Sequence, residues 1–574
     1  MRILFSTSSF GFLRNFQSTV RMLAERGHEV HLLAERGDTV EGQTMADALV
    51  AEHPARITCS ILPTSRHRLW YSLGAGLRAS LDYWRYLDPR WDNAPKLRGR
   101  AESLTPAAAR IVPRIPPFNT RAGRAALSSM FRAIDRALPP PPEVTEALER
   151  IKPDLLLLTP LLYFRSHQAT HVRAARRLGI KSIVGIGSWD HLTTKGLLHE
   201  IPDRVLVWNE AQKREAIELH DVAADRVAVT GSQAFDHWFA TQPSVDRATF
   251  FARAGLDPAR PLLLYLCSSI FIAPYEVGFI RGWIKAIRSS DDPWLRSAGL
   301  LVRPHPQNSE QWRNVDLASE FENVALWPKV GVNPIGGGAR ADYFDSMFYS
   351  DAVVGVNTSG MIESGIIGRP VYAVQTSEFQ STQDGTLHFQ HLKNVEGGLL
   401  HLSSDLATHV EQLTRMRSDG AATQRKLKAF IQGFVRPHGL DVAATPRVVS
   451  EIETLMASAP IAASDAASSL HARLIRILLA PVAVIVTVST MESEKLRAVI
   501  LHRLRPARLM LRAWRSRAVY AARFVRRLPI HLWRLGRAAV RLVIVRPVRW
   551  VISRGKGAIH TVLTAGKDEP DKAA

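Results

Sequence analysis

The sequence predicts an α/β protein with two successive parallel-sheet domains, and three observations carry that expectation. Short unbroken apolar runs such as Asp154-Leu155-Leu156-Leu157-Leu158 recur along the chain, separated by stretches of helical length. This is how parallel strands read when both faces of the sheet are covered. The series also stops near residue 229 and restarts at 261. Finally, 574 residues exceed what one ordinary core accommodates. The expected divisions are a first domain at 1–235, a second at 236–460 and a tail at 461–574.

The first strand is expected at 2–6, a helix at 14–26 closed by Gly27, and a second strand at 28–34. The turn between them, Ser6-Thr7-Ser8-Ser9-Phe10-Gly11, is small and polar but lacks the GxGxxG fingerprint, so it carries no dinucleotide reading. Residues 64–150 interrupt the alternation with Trp70, Trp84, Trp91, many arginines and prolines at 139–142, and read as a helical insertion. Between Arg66 and Tyr86, Arg interleaves with Leu, Trp and Tyr. That pattern suits either a solvated basic face or a surface for membrane or acceptor lipid. Strands resume at 154–158, 182–186, 204–208 and 227–229, with a helix at 167–178 closed by Gly179. A linker is expected at 232–260. The second series has strands at 261–267, 299–302, 325–327, 352–356 and 370–374, then helices at 404–434 and 443–457.

With 46% hydrophobic and 22% charged residues the composition is that of a folded protein. The two cysteines, Cys59 and Cys267, match neither a disulfide framework nor a metal-ligand spacing, which suits a reducing compartment. The apolar N-terminal run is too short for a signal peptide, and nothing marks export.

The net charge of +21 is concentrated at one end: residues 470–574 hold 22 Lys and Arg against 5 Asp and Glu. Within that tail, 477–488 is apolar but interrupted by Pro481, and reads as too short to span a bilayer. Further on, Ile500, Leu504, Ala507, Leu511, Trp514, Ala518, Ala521, Val525 and Leu528 recur at spacings of four and three, beside Arg505, Arg508, Arg512 and Arg515. A cationic amphipathic helix of this kind predicts peripheral association with an anionic membrane, the alternative being a protein partner. No nucleic-acid-binding module accompanies the charge, which disfavours nucleic acid as a partner.

Candidate site residues cluster where strands are expected to end, the edge at which open α/β sheets bind ligands. Ser268 and Ser269 follow one strand and allow close approach to backbone N–H groups. Arg303-Pro304-His305-Pro306 follows another, with His305 held stiffly between two prolines as a base or, protonated, as a phosphate ligand. Asn357-Thr358-Ser359-Gly360 opens a helix, with Thr358 or Ser359 as its cap and free N–H groups suited to phosphate. Glu363 lies one turn further in, suited to the diol of a ribose. Gln383 and Asp384 stand in a polar loop with His388 and are candidate donor contacts, Asp384 suiting a sugar hydroxyl or a base. In the first domain, Ser188-Trp189-Asp190-His191 and Lys195 share one loop. There Asp190 or His191 is the candidate base for an acceptor hydroxyl, Lys195 a phosphate ligand, and Ser188 and Trp189 acceptor contacts.

Together these features resemble the two-Rossmann-domain (GT-B) glycosyltransferases over residues 1–460. The Arg303-Pro304-His305-Pro306 string resembles the His-Pro motif of CDP-glycerol glycerophosphotransferases and capsule Kdo transferases. Asp351 with Asn357 to Gly360 and Glu363 is similar to the donor-binding segment of that group and of UDP-N-acetylglucosamine 2-epimerases. The resemblance implies transfer from a nucleotide-activated donor, with Glu363 near the ribose and His305 and Ser359 near the phosphates. No metal-binding acidic pair stands out, so a metal-independent reaction without a cofactor is expected, the activated donor being a substrate.

The resulting expectation is transfer of a sugar from a nucleotide-activated donor to a glycan or lipid-linked acceptor of the cell envelope, as in polysaccharide biosynthesis, at the cytoplasmic face of the plasma membrane. Glycerophosphate transfer from CDP-glycerol, nucleotide-sugar 2-epimerisation and a non-catalytic envelope scaffold are the alternatives.

Overall fold

The computed structural model describes residues 1–37, 41–62, 69–329, 331–334 and 336–490. The amphipathic stripe at 500–528 and Arg66 lie outside the described residues.

The first sheet contains β1 (Arg2–Thr7), β2 (Glu29–Ala34), β3 (Ile57–Ile61), β4 (Leu155–Thr159), β5 (Lys181–Gly185), β6 (Arg204–Val207) and β7 (Val227–Val229), in the spatial order β3-β2-β1-β4-β5-β6-β7. The second contains β8 (Leu262–Leu266), β9 (Gly299–Arg303), β10 (Val324–Leu326), β11 (Ala352–Gly355), β12 (Val371–Val374) and β13 (Leu400–Ser403), in the order β10-β9-β8-β11-β12-β13. Every pairing in both sheets is parallel. Each sheet therefore winds outward from its first strand, reverses and winds the other way, the Rossmann order. The reversals fall between β1 and β4 and between β8 and β11.

The apolar runs fold this way because each strand feeds two cores. In β4, Leu155 and Leu157 enter one cluster while Leu156 and Leu158 enter the other. In β8, Leu262, Leu264 and Leu266 divide in the same manner from Leu263 and Tyr265. A two-residue period with both phases apolar demands helices on both faces.

Several expectations need correction. Strands β3 and β13 and the helix Gly42–Glu52 were not foreseen, their sequences being short and half polar. The segment 232–260 is more than a linker: it holds helices Asp236–Ala240 and Arg247–Ala254. Asp246 caps the second of these through a 2.7 Å bond from Thr249 N, and Phe250 and Phe251 are buried in the second domain's core. The single helix expected at 404–434 is two, Leu406–Arg415 and Gly420–Phe434, interrupted around Arg417-Ser418-Asp419.

Helix Ala444–Ala457 leaves the second domain and returns to the first. Val448, Val449 and Ile452 pack with Val20, Leu23 and the strands β1 and β4. Where the chain crosses back, Asp236 on the outgoing crossing accepts bonds from Ala444 N (3.0 Å), Thr445 N (2.7 Å), Thr445 Oγ1 (2.7 Å) and the Arg436 guanidinium (3.0 Å).

The insertion between β3 and β4 is helical, with Tyr71–Arg85, Pro95–Ser103, Arg121–Ala137 and Pro142–Ile151 as its longer helices. Its arginines are not all solvated. Arg78 is buried and pairs with Asp135 at 2.7 Å, and Asp135 also meets Arg173 of the first domain. Arg85 donates to Leu192 O at 2.8 Å and lies over the Trp91 ring. Asp82 accepts from Leu197 N and bonds the His199 ring, which joins the insertion to the loop after β5. These arginines therefore tie the insertion to the sheet beneath it and contribute no solvated face.

A further helix, Leu470–Thr490, is long and apolar enough by length and composition to cross a membrane. The expectation of a shorter run broken at Pro481 is corrected, because the helix continues through that residue.

Candidate active site

The carboxyl ends of both sheets border one cleft of about 1040 Å³. The first domain contributes Arg14 and Asn15 from the 3₁₀ helix Phe10–Asn15 after β1, Tyr163 from beyond β4, and Ser188 to His191, Thr194 and Lys195 from the segment after β5. The second contributes Ser269, Arg303 to Gln307, Asn357 to Ser359, Glu363 and His388.

On the second-domain wall, Glu363 faces the cleft from helix Gly360–Ile366. Its Oε2 accepts a 2.7 Å bond from the Tyr343 hydroxyl. Burial raises its pKa to about 7, against the opposing effects of Tyr343 and of the Arg14 charge. Gly360 is required at the head of this helix: a Cβ there would lie 2.6 Å from Tyr343 Oη and 2.7 Å from Leu266 Cδ1. Ser359 is exposed at the helix start and makes no side-chain capping bond, contrary to its expected role as a cap. Thr358 Oγ1 lies at a long 3.5 Å from Gly360 N. Asn357 is buried, donating to Thr382 O at 2.6 Å and meeting His388 Nε2 at 3.3 Å.

His305 is neutral rather than a cation. Burial, reinforced by Arg14, lowers its pKa to about 4. Its Nδ1 accepts from Gln307 N at 3.1 Å, which leaves the ring proton on Nε2 as a donor. The expectation of a protonated phosphate ligand is thereby revised to a neutral hydrogen-bond donor. Arg303 lines the cleft, but one edge of its guanidinium is engaged by Ser346 Oγ (2.8 Å) and Asp342 O (3.4 Å). It also lies over the rings of Trp327 and Tyr343, 5.4 and 5.2 Å from their centroids. Burial lowers its pKa to about 10. Arg303 thus braces Tyr343 as much as it faces a ligand.

Three expected donor contacts point elsewhere. Ser268 is fully buried, and its N–H donates to Glu276 Oε2 at 2.9 Å, so only Ser269 reaches the cleft. Gln383 is buried and donates to Val356 O and Val374 O, clamping the ends of β11 and β12. Asp384 accepts from Gln375 (2.8 Å) and pairs with Lys393 (2.8 Å) outside the cleft lining. A polar loop at a strand end offered these residues as ligands, but their side chains satisfy the loop's own backbone and neighbours instead.

On the first-domain wall, Asp190 accepts from Ser188 Oγ at 2.5 Å and Thr194 Oγ1 at 2.8 Å, with Lys195 Nζ 3.5 Å away. Burial alone would raise its pKa, but Lys195, His191, His388 and Ser188 together hold it well below the usual carboxylate range. A carboxylate so stabilised is a weak base. His191 is buried, and burial lowers its pKa to about 4, against the opposing pull of Asp190. Its Nδ1 is buried without a hydrogen-bond partner. Trp189 meets the His388 ring edge-on at 4.7 Å across the two domains and belongs to the core they share, which makes it a domain contact.

Sequence reasoning missed Arg14, Tyr343, Lys96 and Arg100. Arg14 is exposed in the cleft, and its charge acts on Glu363, His305 and His191. Its signal was its place just beyond the first strand, hidden because that turn carries no glycine fingerprint. Lys96 and Arg100 come from the insertion. Lys96 donates to Phe271 O, and Arg100 lies 5.3 Å over the Phe271 ring, so the insertion touches the second domain across the cleft mouth. Among the described residues no group of three or more His, Cys, Asp or Glu assembles as a metal site.

No protein-family pattern matches this sequence, and no curated protein sequence matches it. Solved structures show likeness at low identity. UDP-GlcNAc 2-epimerase from Neisseria meningitidis, bound to UDP-GlcNAc, is 11% identical with a TM-score of 0.46, over 79% of this chain and 100% of that one. A glycosyltransferase from Rickettsia africae is 9% identical with a TM-score of 0.46, over 80% and 99%. Anabaena Alr3699/HepE in complex with UDP is 12% identical with a TM-score of 0.44, over 79% and 100%.

Proposed function

We propose that this protein transfers a sugar from a nucleotide-activated donor to the hydroxyl of a glycan or lipid-linked acceptor of the cell envelope, at the cytoplasmic face of the membrane. The observation that carries the reading is the division of labour across the cleft. An ionised Asp190 and a neutral, unpartnered His191 line one wall, and a half-buried carboxyl, Glu363, stands with His305 on the other.

In this reading Glu363 accepts the ribose hydroxyls of the donor. His305 Nε2–H, the backbone N–H groups near Ser359 and the Arg14 guanidinium meet the diphosphate. The acceptor oxygen gives its proton to His191 as it attacks the anomeric carbon. The bond from that carbon to the diphosphate oxygen breaks, and the nucleotide diphosphate leaves with the bonding pair. The imidazolium that forms is stabilised by the Asp190 carboxylate. Arg303 positions Tyr343 and, through it, Glu363.

A nucleotide-sugar epimerase would share the donor half of this site. What favours transfer is the size of the cleft, just above the roughly 300–1,000 Å³ range of single-ligand pockets. The mouth lined by Lys96, Arg100 and Phe271 offers the room a second substrate needs. The experiment that tests the donor half is calorimetric and thermal-shift titration with UDP, GDP, ADP, CDP and CMP. Stabilisation by UDP, GDP or ADP is expected. Stabilisation by CDP or CMP alone would move the reading to glycerophosphate or Kdo transfer, and a response to none would leave a scaffold.

A further inference from the structure

Helix Leu470–Thr490 has its faces inverted relative to a helix of a soluble protein. Its buried positions are small: Ala472, Ala483 and Thr487 are 3%, 0% and 7% exposed. Most of its exposed positions are large and aliphatic, with Leu474, Ile477, Leu478 and Ile485 at 51, 68, 77 and 65%, the others being His471, Arg473, Pro481 and Ser489. At 100° per residue the two sets fall on opposite sides of the helix. Water outside would select the reverse arrangement.

The inward face is fastened at two points. Arg476 donates to Ala137 O at 3.1 Å, and Thr487 Oγ1 donates to Leu69 O at 3.1 Å, both on the helical insertion. Those anchors are eleven residues apart, about 16 Å along the axis. A helix crossing a bilayer could not hold both ends of that stretch on the same folded domain.

We propose that this helix lies in the plane of an anionic membrane surface, docked on the insertion by its small-residue face and immersed in lipid by its large aliphatic face. Lipid is favoured over a protein partner by chemistry on the chain itself. The large outward residues are Leu, Ile and Val without Trp, Tyr or Phe, whereas protein interfaces concentrate aromatics and Arg. No Lys, Arg, Asp or Glu occurs at 477–490, while the exposed Arg473 precedes that stretch and 470–574 holds 22 basic against 5 acidic residues. An apolar face flanked by cations complements an anionic lipid surface.

The test uses the full chain and flotation with vesicles of phosphatidylcholine plus phosphatidylglycerol, and of phosphatidylcholine alone. Strong flotation is expected only with the anionic vesicles. The variant Leu478→Glu/Ile485→Glu, altered at exposed positions only, should partition about tenfold more weakly or worse. Unchanged flotation of that variant would overturn the proposal. An environment-sensitive fluorophore on Leu478→Cys, in a Cys59→Ser background, supplies the second readout. Its emission should shift to the blue on adding anionic vesicles. Blue emission before any vesicle is added would mean that protein covers this face, and would equally overturn the proposal.

Discussion

Tyr343 donates a 2.7 Å hydrogen bond to Glu363 Oε2, while the Arg303 guanidinium lies over the ring of the same tyrosine, 5.2 Å from its centroid. One side chain thus links a buried cation to the carboxyl that faces the cleft. The tyrosine fixes one carboxyl oxygen of a residue that lines the cleft.

Glu363→Gln should weaken binding of the best-stabilising nucleotide by about 1.5–3 kcal/mol, the worth of hydrogen bonds to a charged group. Tyr343→Phe should cost less, about 0.5–1.5 kcal/mol, because the carboxylate remains but loses its brace. Gly360→Ala should reproduce the tyrosine effect with both Tyr343 and Glu363 retained, since the added methyl meets the Tyr343 hydroxyl. Calorimetric affinities decide this. Wild-type affinity in Glu363→Gln would remove that residue from the ribose role.

Arg303→Lys should lower folding stability by about 2–3 kcal/mol, since an ammonium cannot both reach Ser346 and lie against two rings. Chemical denaturation reads the loss directly. Should nucleotide affinity collapse while stability holds, Arg303 is a ligand to phosphate first and a brace second.

Asp236→Ala removes the acceptor for four donors at the point where the chain crosses between domains twice, and strands the buried Arg436. A loss of about 3–5 kcal/mol is expected, the cost of breaking a buried ion pair from one side. Equilibrium unfolding in urea would show it. A variant within 1 kcal/mol of wild type, roughly the scale of an exposed pair, would mean the crossing is held by packing alone.

Thermal stability should peak near pH 6.5. Burial lowers the pKa of His171, His191, His305, His388 and His409 from 6.5 to about 4. They hold fewer protons folded than unfolded between pH 4 and 6.5, so their contribution to stability rises with pH there. Burial has the opposite consequence for Glu35 and Glu363, raised to about 7, and Glu276, raised to about 8, from 4.5. Their contribution is whole below pH 4.5 and is lost as pH rises through 7 to 8. The imidazoles prevail below pH 6.5, and only the carboxyls act above it. Melting temperatures across pH 4–9 test the shape, and Glu276→Gln should flatten the alkaline arm.

The fold was legible because its strands are long apolar runs whose alternate residues serve two cores, as in β4 and β8. The strands that escaped notice, β3 and β13, sit at sheet edges, where Thr58 and His401 replace the unbroken aliphatic pattern. At the site, position was easier to read than orientation. The Arg303 and Gln383 segments do leave strand ends, yet nothing in a strand-end position says whether a side chain turns to the cleft or back to the sheet. Arg14 shows the converse: a single cation in a turn without a motif, given meaning only by the strand order that sets β1 beside β4.

The return of helix Ala444–Ala457 to the first sheet makes the second lobe, in chain terms, an insert within the first. The lobes are therefore joined by two covalent spans lying side by side. They can fold toward each other about the line through both crossings, but cannot wring freely about a single thread. One proteolytic nick there would not part them, and the whole second lobe could be exchanged as a cassette with two adjacent ends.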